Sequence, residues 1–479
     1  MKKALLNAIQ TLALVIFANL IPAIASAQWT APVNLSPHAM SATLNEDMSQ
    51  CMAVSGNGDT VHVIWCDRRT LGSAIYYKRS VDGGSTWNTE TNITDTMGTA
   101  NFPSIAISGS SVHVVWIDSS LGHPASFYKR SLDGGATWGA NVCLDTFTKF
   151  WPGVTASGSL VAVSINKEIT PGNTEVFFNR SIDNGTTWGT EQQLSHAAGR
   201  SEDPAIMASG NNIHLAWNDK RTGQMHIYYI HSSDYGVTWG PETSILGDES
   251  YTAMVCLNGA HVDVACGNSI TGNFDVYLVQ SNDTGATWAD TVHLTSTPAA
   301  EAYPYLARNG MKLDLVYYQI SNGRAVMYMN STDGGVTWST PVSLASGGEQ
   351  PSISYGNGCI LHVLYTDSVT KQVFYRRSMC PALGEEAIHP VPLGLTLSEK
   401  PNPFSNLTSI EYSIPDNGRF TLKVYDLMGR EVATLGDGAG KAGELNSVLF
   451  DASKLSPGMY LCRLNSGSSS LTTKLVLMK

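Results

Sequence analysis

The sequence predicts an all-β protein: a seven-bladed β-propeller of four-stranded antiparallel blades, followed by a small immunoglobulin-like β-sandwich. Three observations support this fold class. One octapeptide returns six times at nearly constant spacing, strand-like runs flank every copy, and the composition is turn-rich, with 44 glycines and only 14% charged residues among 479. A fixed period near fifty residues indicates a repeat architecture, and four short strands in each period are typical of a propeller blade.

Residues 1–27 read as a secretory signal peptide. Lys2 and Lys3 precede a long apolar stretch, and Ala25-Ser26-Ala27 supplies a small-residue cleavage site, so Gln28 would begin the mature chain. The alternative is an uncleaved N-terminal anchor. No later stretch is long and apolar enough to span a bilayer, so we expect no transmembrane segment in the mature chain. The formal net charge of −11 argues against nucleic acid as a partner, and we expect a monomer.

The repeated octapeptide follows the pattern S-x-D-x-G-x-T-W and recurs every 49 to 51 residues. We expect it to form the hairpin between the third and fourth strands of each blade. Asp and Ser can bond the amides of the turn, Gly permits a positive φ, and Trp can pack between neighbouring blades. This structural role is preferred over metal binding or acid catalysis for Asp82, Asp133, Asp183, Asp234, Asp283 and Asp333, and for Trp87, Trp138, Trp188, Trp239, Trp288 and Trp338.

Each period contains strand-like runs at matching positions. In the second period these are PSIAIS (103–108), VHVVWI (112–117) and SFYKRS (126–131), before the octapeptide. Seven first strands can be counted, but the seventh period lacks an octapeptide and a fourth strand. QWTAPVNLS at residues 28–36 matches TWSTPVSLA at 337–345. We therefore predict that the N-terminal strand completes blade seven and closes a ring over residues 28–380.

The octapeptides resemble the Asp-box (BNR) repeats of the sialidase-like propeller superfamily, over about three quarters of the chain. The resemblance implies the propeller fold. It does not choose a function, because the superfamily includes sialidases, other glycoside-acting enzymes and non-enzymatic binding proteins. Two departures weigh against a sialidase: seven blades instead of the usual six, and NFPSIA where a sialidase has an arginine before its first box.

The C-terminal part differs in composition. Residues 381–399 read as a proline-containing linker, and residues 400–479 read as an all-β domain. PNPF (401–404), FTLKVYDLMGREV (420–432) and LSPGMYLCRL (455–464) resemble the type A C-terminal sorting domain of the type IX secretion system. The resemblance implies the type IX secretion machinery as a partner and a secreted or outer-cell-surface location. A small sandwich of another role is the alternative.

Meander geometry places the loops between strands two and three, and the connections between blades, on the face opposite the boxes. Arg200, Glu202 and Asp203 in one connection are the first candidates there, with Glu301 and Arg324 next. The pattern W-x-D-x-R recurs at residues 65–69 and 217–221, and its recurrence favours a structural role over a binding one. The candidate ligand-binding residues are Arg200, Glu202, Asp203, Arg221, Arg324, Trp65 and Trp217; if the protein is an enzyme, the catalytic candidates are Glu202, Asp203 and Glu301.

Three functions follow in order of preference. The first is a surface propeller that binds a glycan or protein ligand on the box-free face, the second a sialidase-like glycoside hydrolase, and the third a structural or adhesive surface protein. We expect no cofactor and no metal, because H-E-x-x-H and zinc-type Cys/His spacings are absent from the sequence. A disulfide between Cys51 and Cys66 and a pair of free thiols are both left open.

Overall fold

A computed structural model describes residues 28–37, 51–55, 59–70, 72–94, 98–148, 151–247, 249–320, 323–356, 360–379, 396–400, 402, 404, 407–414, 418–440, 446–467 and 469–478. The predicted signal peptide and most of the predicted linker lie outside these residues. The chain divides into two compact units, Met1–Pro381 and Ala382–Lys479. Within the described part of the chain, no helix is long and apolar enough to cross a membrane.

The described residues of the first unit form seven antiparallel sheets, which we number as blades 1 to 7. Two short strands at the N-terminus belong to blade 7: β1 (Gln28–Trp29) and β2 (Val33–Asn34). Blade 1 comprises β3 (Cys51–Ser55), β4 (Val61–Thr70), β5 (Gly72–Ser80) and β6 (Thr91–Asn92). Blade 2 comprises β7 (Ala100–Ser108), β8 (Ser111–Asp118), β9 (Ala125–Ser131) and β10 (Val142–Asp145). Blade 3 comprises β11 (Gly153–Ser157), β12 (Leu160–Thr170), β13 (Asn173–Ser181) and β14 (Gln192–Gln193).

Blade 4 comprises β15 (Ser201–Ser209), β16 (Asn212–Asp219), β17 (His226–Ser232) and β18 (Thr243–Leu246), and blade 5 comprises β19 (Ser250–Asn258), β20 (His261–Asn268), β21 (Asp275–Ser281) and β22 (Val292–His293). Blade 6 comprises β23 (Ala300–Asn309), β24 (Lys312–Ile320), β25 (Arg324–Ser331) and β26 (Val342–Ser346). Blade 7 adds β27 (Gly348–Tyr355), β28 (Leu361–Asp367) and β29 (Val373–Met379) to the N-terminal strands. In blades 1 to 6 the four strands pair in chain order.

The blades form a closed ring. The first strand of each blade contacts the first strand of the next, and β27 of blade 7 contacts β3 of blade 1. The second strand of each blade is covered on both faces by the neighbouring blades. In β8, for example, every residue is buried. This explains why these strands read as nearly continuous apolar runs.

The N-terminal strands complete blade 7, as the sequence predicts. Gln28 pairs with Met379 and Trp29 with Ser378, and Val33 then pairs with Tyr375. The ring of Trp29 lies 5.1 Å from that of Tyr328 in blade 6, edge to face. Trp29 therefore takes the place in blade 7 that the box tryptophans hold in the other blades.

The Asp boxes close their own turns. In blade 1, Asp82 Oδ1 accepts hydrogen bonds from the amides of Ser85 (3.0 Å) and Thr86 (2.8 Å), and Oδ2 accepts one from Thr86 Oγ1 (2.6 Å). Hydroxyl and amide donors hold the pKa of the box aspartates well below the usual range. The same hydroxyl bond recurs at Asp133, Asp183, Asp234, Asp283 and Asp333.

The box tryptophans pack between blades, as predicted. Each of five rings meets an aromatic ring of the adjacent blade edge to face; Trp138 lies 5.0 Å from Tyr77 in this way. The other four pairs are Trp87–Tyr375, Trp188–Tyr128, Trp239–Phe178 and Trp288–Tyr229. Trp338 packs against the core that blades 5 and 6 share. Such pairs contribute about 0.5–1.5 kcal/mol each beyond the area that they bury.

Four of these aromatic partners are tyrosines that share a hydrogen bond with a buried histidine of the same blade. The pairs are His62–Tyr77 (2.7 Å), His113–Tyr128 (2.7 Å), His214–Tyr229 (2.6 Å) and His362–Tyr375 (2.6 Å). Burial lowers the pKa of His214 to about 3 and that of the other three to about 4. These histidines are therefore neutral in the folded protein near pH 7.

The disulfide that the sequence left open does not form. The register pairs Cys51 with Trp65, and the side chain of Cys51 lies outside the described residues. The thiol of Cys66 is free and buried, and it donates to the carbonyl oxygen of Ala100 at 3.3 Å. Burial raises the pKa of this thiol to about 12, so it behaves as a small core group.

The second unit is a β-sandwich. One sheet has the order β30 (Thr396–Lys400), β31 (Leu407–Ser413), β34 (Asn446–Asp451); the other has the order β33 (Glu431–Gly440), β32 (Gly418–Asp426), β35 (Gly458–Ser466), β36 (Ser469–Leu477). They enclose a shared core that includes Val424 and Phe450. Asn402 Oδ1 accepts from the amide of Val476 at 2.8 Å, which ties the PNPF segment to the last strand. Thr396–Lys400 is a strand although the sequence places most of it in the linker.

Candidate functional site

The two faces of the propeller differ in what they expose. The boxes lie beside the hairpins that join strands one and two, since the amide of Gly83 donates to the carbonyl oxygen of Asp59 at 2.7 Å. The loops between strands two and three, and the starts of the first strands, lie at the opposite ends of the strands. We call that opposite side the box-free face.

In five blades the chain has the same unusual backbone conformation near the start of the first strand, on the box-free face. The residue before a proline takes a left-handed conformation, and in four of these blades a register shift marks a β-bulge there. We call these the rim residues: Phe102 (φ 54°), Trp151 (φ 41°), Asp203 (φ 55°), Tyr303 (φ 50°) and Gln350 (φ 50°). Bulges often lie beside functional sites, where they redirect a side chain.

The rim residues share a conformation but not a side chain. A left-handed backbone costs a non-glycine residue roughly 1–2 kcal/mol, which glycine would avoid. None of the five positions is glycine. We infer that these side chains are retained for their contacts, with packing or with a ligand, and that the bulge is the shared scaffold that presents them.

Three rim residues are aromatic. Phe102 of blade 2 and Trp151 of blade 3 meet at 5.2 Å between ring centroids, so rim side chains of adjacent blades touch. Tyr303 stacks on Tyr318 at 5.6 Å and is 39% exposed. Trp151 is half-buried. Phe102 is buried, so the rings of Trp151 and Tyr303 are the ones suited to stacking against a ligand.

In blade 4 the rim residue Asp203 belongs to a polar group with Arg200 and Glu202. The guanidinium of Arg200 lies 3.3 Å from the carboxylate of Glu202, and Asn218 Nδ2 donates to Asp203 Oδ2 at 2.8 Å. Burial raises the pKa of Asp203 to about 7, and the neighbouring charge of Glu202 acts in the same direction. The structure thus brings together the three residues that the sequence ranked first.

The recurring W-x-D-x-R pattern forms an internal clamp. Trp217 Nε1 donates to Asp219 Oδ2 at 2.9 Å, and Arg221 Nε donates to Asp219 Oδ1 at 2.8 Å. The Arg221 guanidinium also pairs with Glu242 and lies 4.0 Å from the ring centre of Tyr228. Blade 1 repeats the clamp with Arg69, which pairs with Asp67 and Glu90 and lies over Tyr76; Trp65 Nε1 donates to Asp67.

The boxes, the ring and the tail also agree with known families. The family model described as a BNR repeat-like domain matches residues 15–315, which is more than half of the chain. The chain belongs to the BNR repeat-like family. A second model, the secretion system C-terminal sorting domain, matches residues 401–478. This tail indicates export to the extracellular space or the outer cell surface and an interaction with the secretion machinery.

Solved structures similar to this chain include glycan-active proteins. A Hadza microbial sialidase is 15% identical, with a TM-score of 0.45. The match covers 69% of this chain and 66% of the sialidase chain, so this chain spans just under two thirds of the length of that sialidase. An ulvan lyase is 11% identical with a TM-score of 0.49, over 72% and 95%. A Trypanosoma rangeli sialidase is 12% identical with a TM-score of 0.41, over 94% and 89%. No curated protein sequence matches the chain significantly. None of these findings assigns an activity.

Several candidates have internal roles in this BNR repeat propeller. Trp65 and Trp217 are 1% and 0% exposed, so neither ring can stack on a ligand, and we leave both out of the proposed site. Arg221 is committed to its clamp. Among the described residues, no group of three or more His, Cys, Asp or Glu side chains is arranged to hold a metal ion.

Glu301 and Arg324, both in blade 6, contact side chains of the neighbouring blades. Glu301 is fully buried, accepts a hydrogen bond from Gln319 Nε2 at 2.9 Å and another from Thr297, and lies beside the carboxyl of Asp275 in blade 5. Burial raises its pKa. Arg324 pairs with the buried carboxylate of Glu349 in blade 7. Neither belongs to the group formed by Arg200, Glu202 and Asp203.

Sequence reasoning did not single out Phe102, Tyr303 and Gln350. Their signal in the sequence is a residue followed by proline at the start of a blade, as in Phe102-Pro103 and Tyr303-Pro304. Sterics normally place the residue before proline in an extended conformation, so these dipeptides read as ordinary strand beginnings.

Proposed function

We propose that this protein is an exported carbohydrate-binding propeller whose ligand lies against the rim of the box-free face. The observation that supports it most is the rim itself. Left-handed positions that glycine would occupy more cheaply instead carry Trp151, Tyr303 and Asp203. Aromatic faces beside a few convergent polar groups are the usual composition of a sugar-binding surface.

The test uses the purified exported chain and a pooled glycan library, with mass spectrometry of retained and released glycans. In Trp151→Gly and Tyr303→Gly the ring is removed while the left-handed backbone is kept, because glycine accepts φ of 41° and 50°. We expect each variant to lose at least roughly tenfold in retention, the effect of about 1.4 kcal/mol.

Thr284→Gly is the matched control. Thr284 has a left-handed φ of 61° but lies in an Asp box, on the opposite face. Its retention of glycans should equal that of the wild type. Unchanged retention in both rim variants would contradict the proposal, and an absence of retained glycans would favour the structural or adhesive alternative.

A second candidate, cleavage of a glycan, is favoured by one observation. A carboxyl group with a pKa of about 7 is suited to act as a general acid, and Asp203 lies beside the carboxylate of Glu202. New, smaller masses among the released glycans would establish this activity. Asp203→Asn should then abolish the smaller masses while glycans are still retained.

A further inference from the structure

We infer that the rim selects uncharged glycans and discriminates against glycans that carry carboxylates. This inference rests on the proposed function and gives its ligand class. It comes from the partners of the cationic side chains on the box-free face. A protein site that binds a ligand carboxylate normally offers an arginine whose two nitrogens can both donate to it.

Three arginines of this face are committed to buried carboxylates of the protein. Arg69 pairs with Asp67, Arg221 with Asp219, and Arg324 with Glu349. The side chains of the three acids are 2%, 0% and 3% exposed. Two of the guanidinium groups are held further, each by a second carboxylate and by a tyrosine ring beneath it.

Arg69 and Arg221 cannot be redirected to a ligand cheaply, unlike Arg324, whose partner Glu349 also pairs with Lys371. Removing the cation from a buried ion pair leaves an uncompensated charge, which costs roughly 3–5 kcal/mol. A new ion pair with a solvated ligand carboxylate returns only about 0–1 kcal/mol. The internal pairs of Arg69 and Arg221 therefore persist when a ligand arrives.

Among the described residues of blades 3 and 4, the cations beside the rim bring no positive surplus, whereas in blade 7 Arg324 and Lys371 share the single carboxylate of Glu349. Arg200 is balanced by Glu202 at 3.3 Å, and Asp203 adds a partial negative charge because its pKa is about 7. Lys167 lies 2.6 Å from Asp145 and also pairs with Glu191. Lys220, in the blade 4 loop, is exposed, and a single flexible ammonium is a weak partner that salt screens.

An uncharged sugar can use both the aromatic and the polar side chains of this face. Its C–H face can stack on the half-exposed rings of Trp151 and Tyr303, and its hydroxyls can donate to the carboxylate of Glu202. An acidic sugar would place its carboxylate against Glu202 and Asp203 in a protein whose formal net charge is −11. The rim therefore favours hydroxyl recognition over charge recognition.

The experiment measures binding of the full exported chain to three sets of oligosaccharides of matched length. The neutral set contains gluco-, manno- and galacto-oligosaccharides, the acidic set contains oligogalacturonates and sialylated oligosaccharides, and the amine set contains chitosan oligomers. Titration calorimetry is run at low and at physiological salt, because an electrostatic contribution weakens as salt rises.

We expect a neutral oligosaccharide to bind with little salt dependence, and every acidic one to bind at least roughly tenfold more weakly. Equal or tighter binding of an acidic or amine probe overturns this inference but leaves the proposed function in place. If no probe of any set binds, the proposed function itself fails. The two failures are therefore distinguishable.

Discussion

The hydroxyl group of Tyr128 in blade 2 lies where a Cβ on Gly185 of blade 3 would have to be, at 1.9 Å from it. The same tyrosine shares its hydroxyl with His113 at 2.7 Å and packs on the box tryptophan Trp188. The glycine at the fifth position of an Asp box therefore leaves space for a side chain of the neighbouring blade, in addition to forming its own turn.

Gly185→Ala should therefore be strongly destabilising, by roughly 3 kcal/mol or more, since overpacking and a left-handed φ of 75° add. Gly335 offers a matched comparison, because there the nearest atoms belong to the flexible amide end of Gln280, at 2.9 Å. Gly335→Ala should cost only about 1–2 kcal/mol. Urea unfolding of both variants measures the difference, and equal losses would show that the tyrosine contact is unimportant.

Acid should destabilise the propeller through its buried histidines. His62, His113 and His362 have pKa values near 4 in the folded protein, against 6.5 in the unfolded chain. The unfolded state binds more protons between these values, so stability falls as the pH drops from about 6.5 toward 4, by up to about 3 kcal/mol for each histidine. Unfolding free energies measured from pH 7 to pH 4.5 test this. His113→Gln should flatten the dependence, and an unchanged dependence in this variant would contradict the role of the buried histidines.

Arg221 and Arg200 should differ sharply in their effect on stability. Arg221→Ala leaves Asp219, which is fully buried, without its cation, and we expect a loss of roughly 3 kcal/mol. The side chain of Arg200 is 51% exposed, so Arg200→Ala should change the unfolding free energy by less than about 1 kcal/mol. Thermal or denaturant unfolding distinguishes the two. Similar small losses would mean that the clamp contributes little.

The fourth box position should tolerate glycine in every copy. Gly83 and Gly134 occupy it with φ of 65° and 66°, whereas Thr284 occupies it with φ of 61°. Thr284→Gly removes a strained β-branched residue, although glycine also adds entropy to the unfolded chain. We expect the free energy of unfolding to rise by about 0.5–1 kcal/mol on balance. Gly83→Thr should show the opposite sign. The midpoint of urea unfolding is the measurement, and a loss in Thr284→Gly would be the contrary result.

Removal of residues 401–479 should stop export beyond the outer membrane without unfolding the propeller. The sorting domain has its own core, and the propeller core is separate from it. Cell fractionation should then find the truncated chain inside the cell envelope. Trp151→Gly in the full chain is the control and should be exported normally. Surface display of the truncated chain would contradict the assignment of this tail.

The parts of the fold that local chemistry determines could be predicted from the sequence. The Asp box closes its own turn, so its geometry follows from eight residues, and Trp29 could be aligned with Trp338 because each blade needs the same indole. The structural role of the clamps could be predicted in outline, because a pattern that recurs in two blades is expected to stabilise the blades themselves.

The remaining features depend on residues far apart in the sequence. Glu301 is buried by Asp275 and Gln319, and no local pattern shows that the blade boundary covers it. The sequence also did not reveal that both faces of the second strands are covered, which encloses Trp65 and Trp217. Phe102, Tyr303 and Gln350 were missed because these left-handed residues precede proline, where local sterics favour the extended form.

The closure of blade 7 has a consequence for the order in which the chain can fold. Asn34 Nδ2 donates to Gln372 Oε1 at 2.9 Å, across 338 positions of sequence. A ribosome that has made the first six blades has therefore made six complete sheets, with β1 and β2 still unpaired and with one face of blade 1 and one face of blade 6 uncovered. The chain can close only after β29 is synthesised, so the ring forms last and as a unit. An export pathway that holds the chain unfolded until it is complete avoids exposing those strands and faces to other chains.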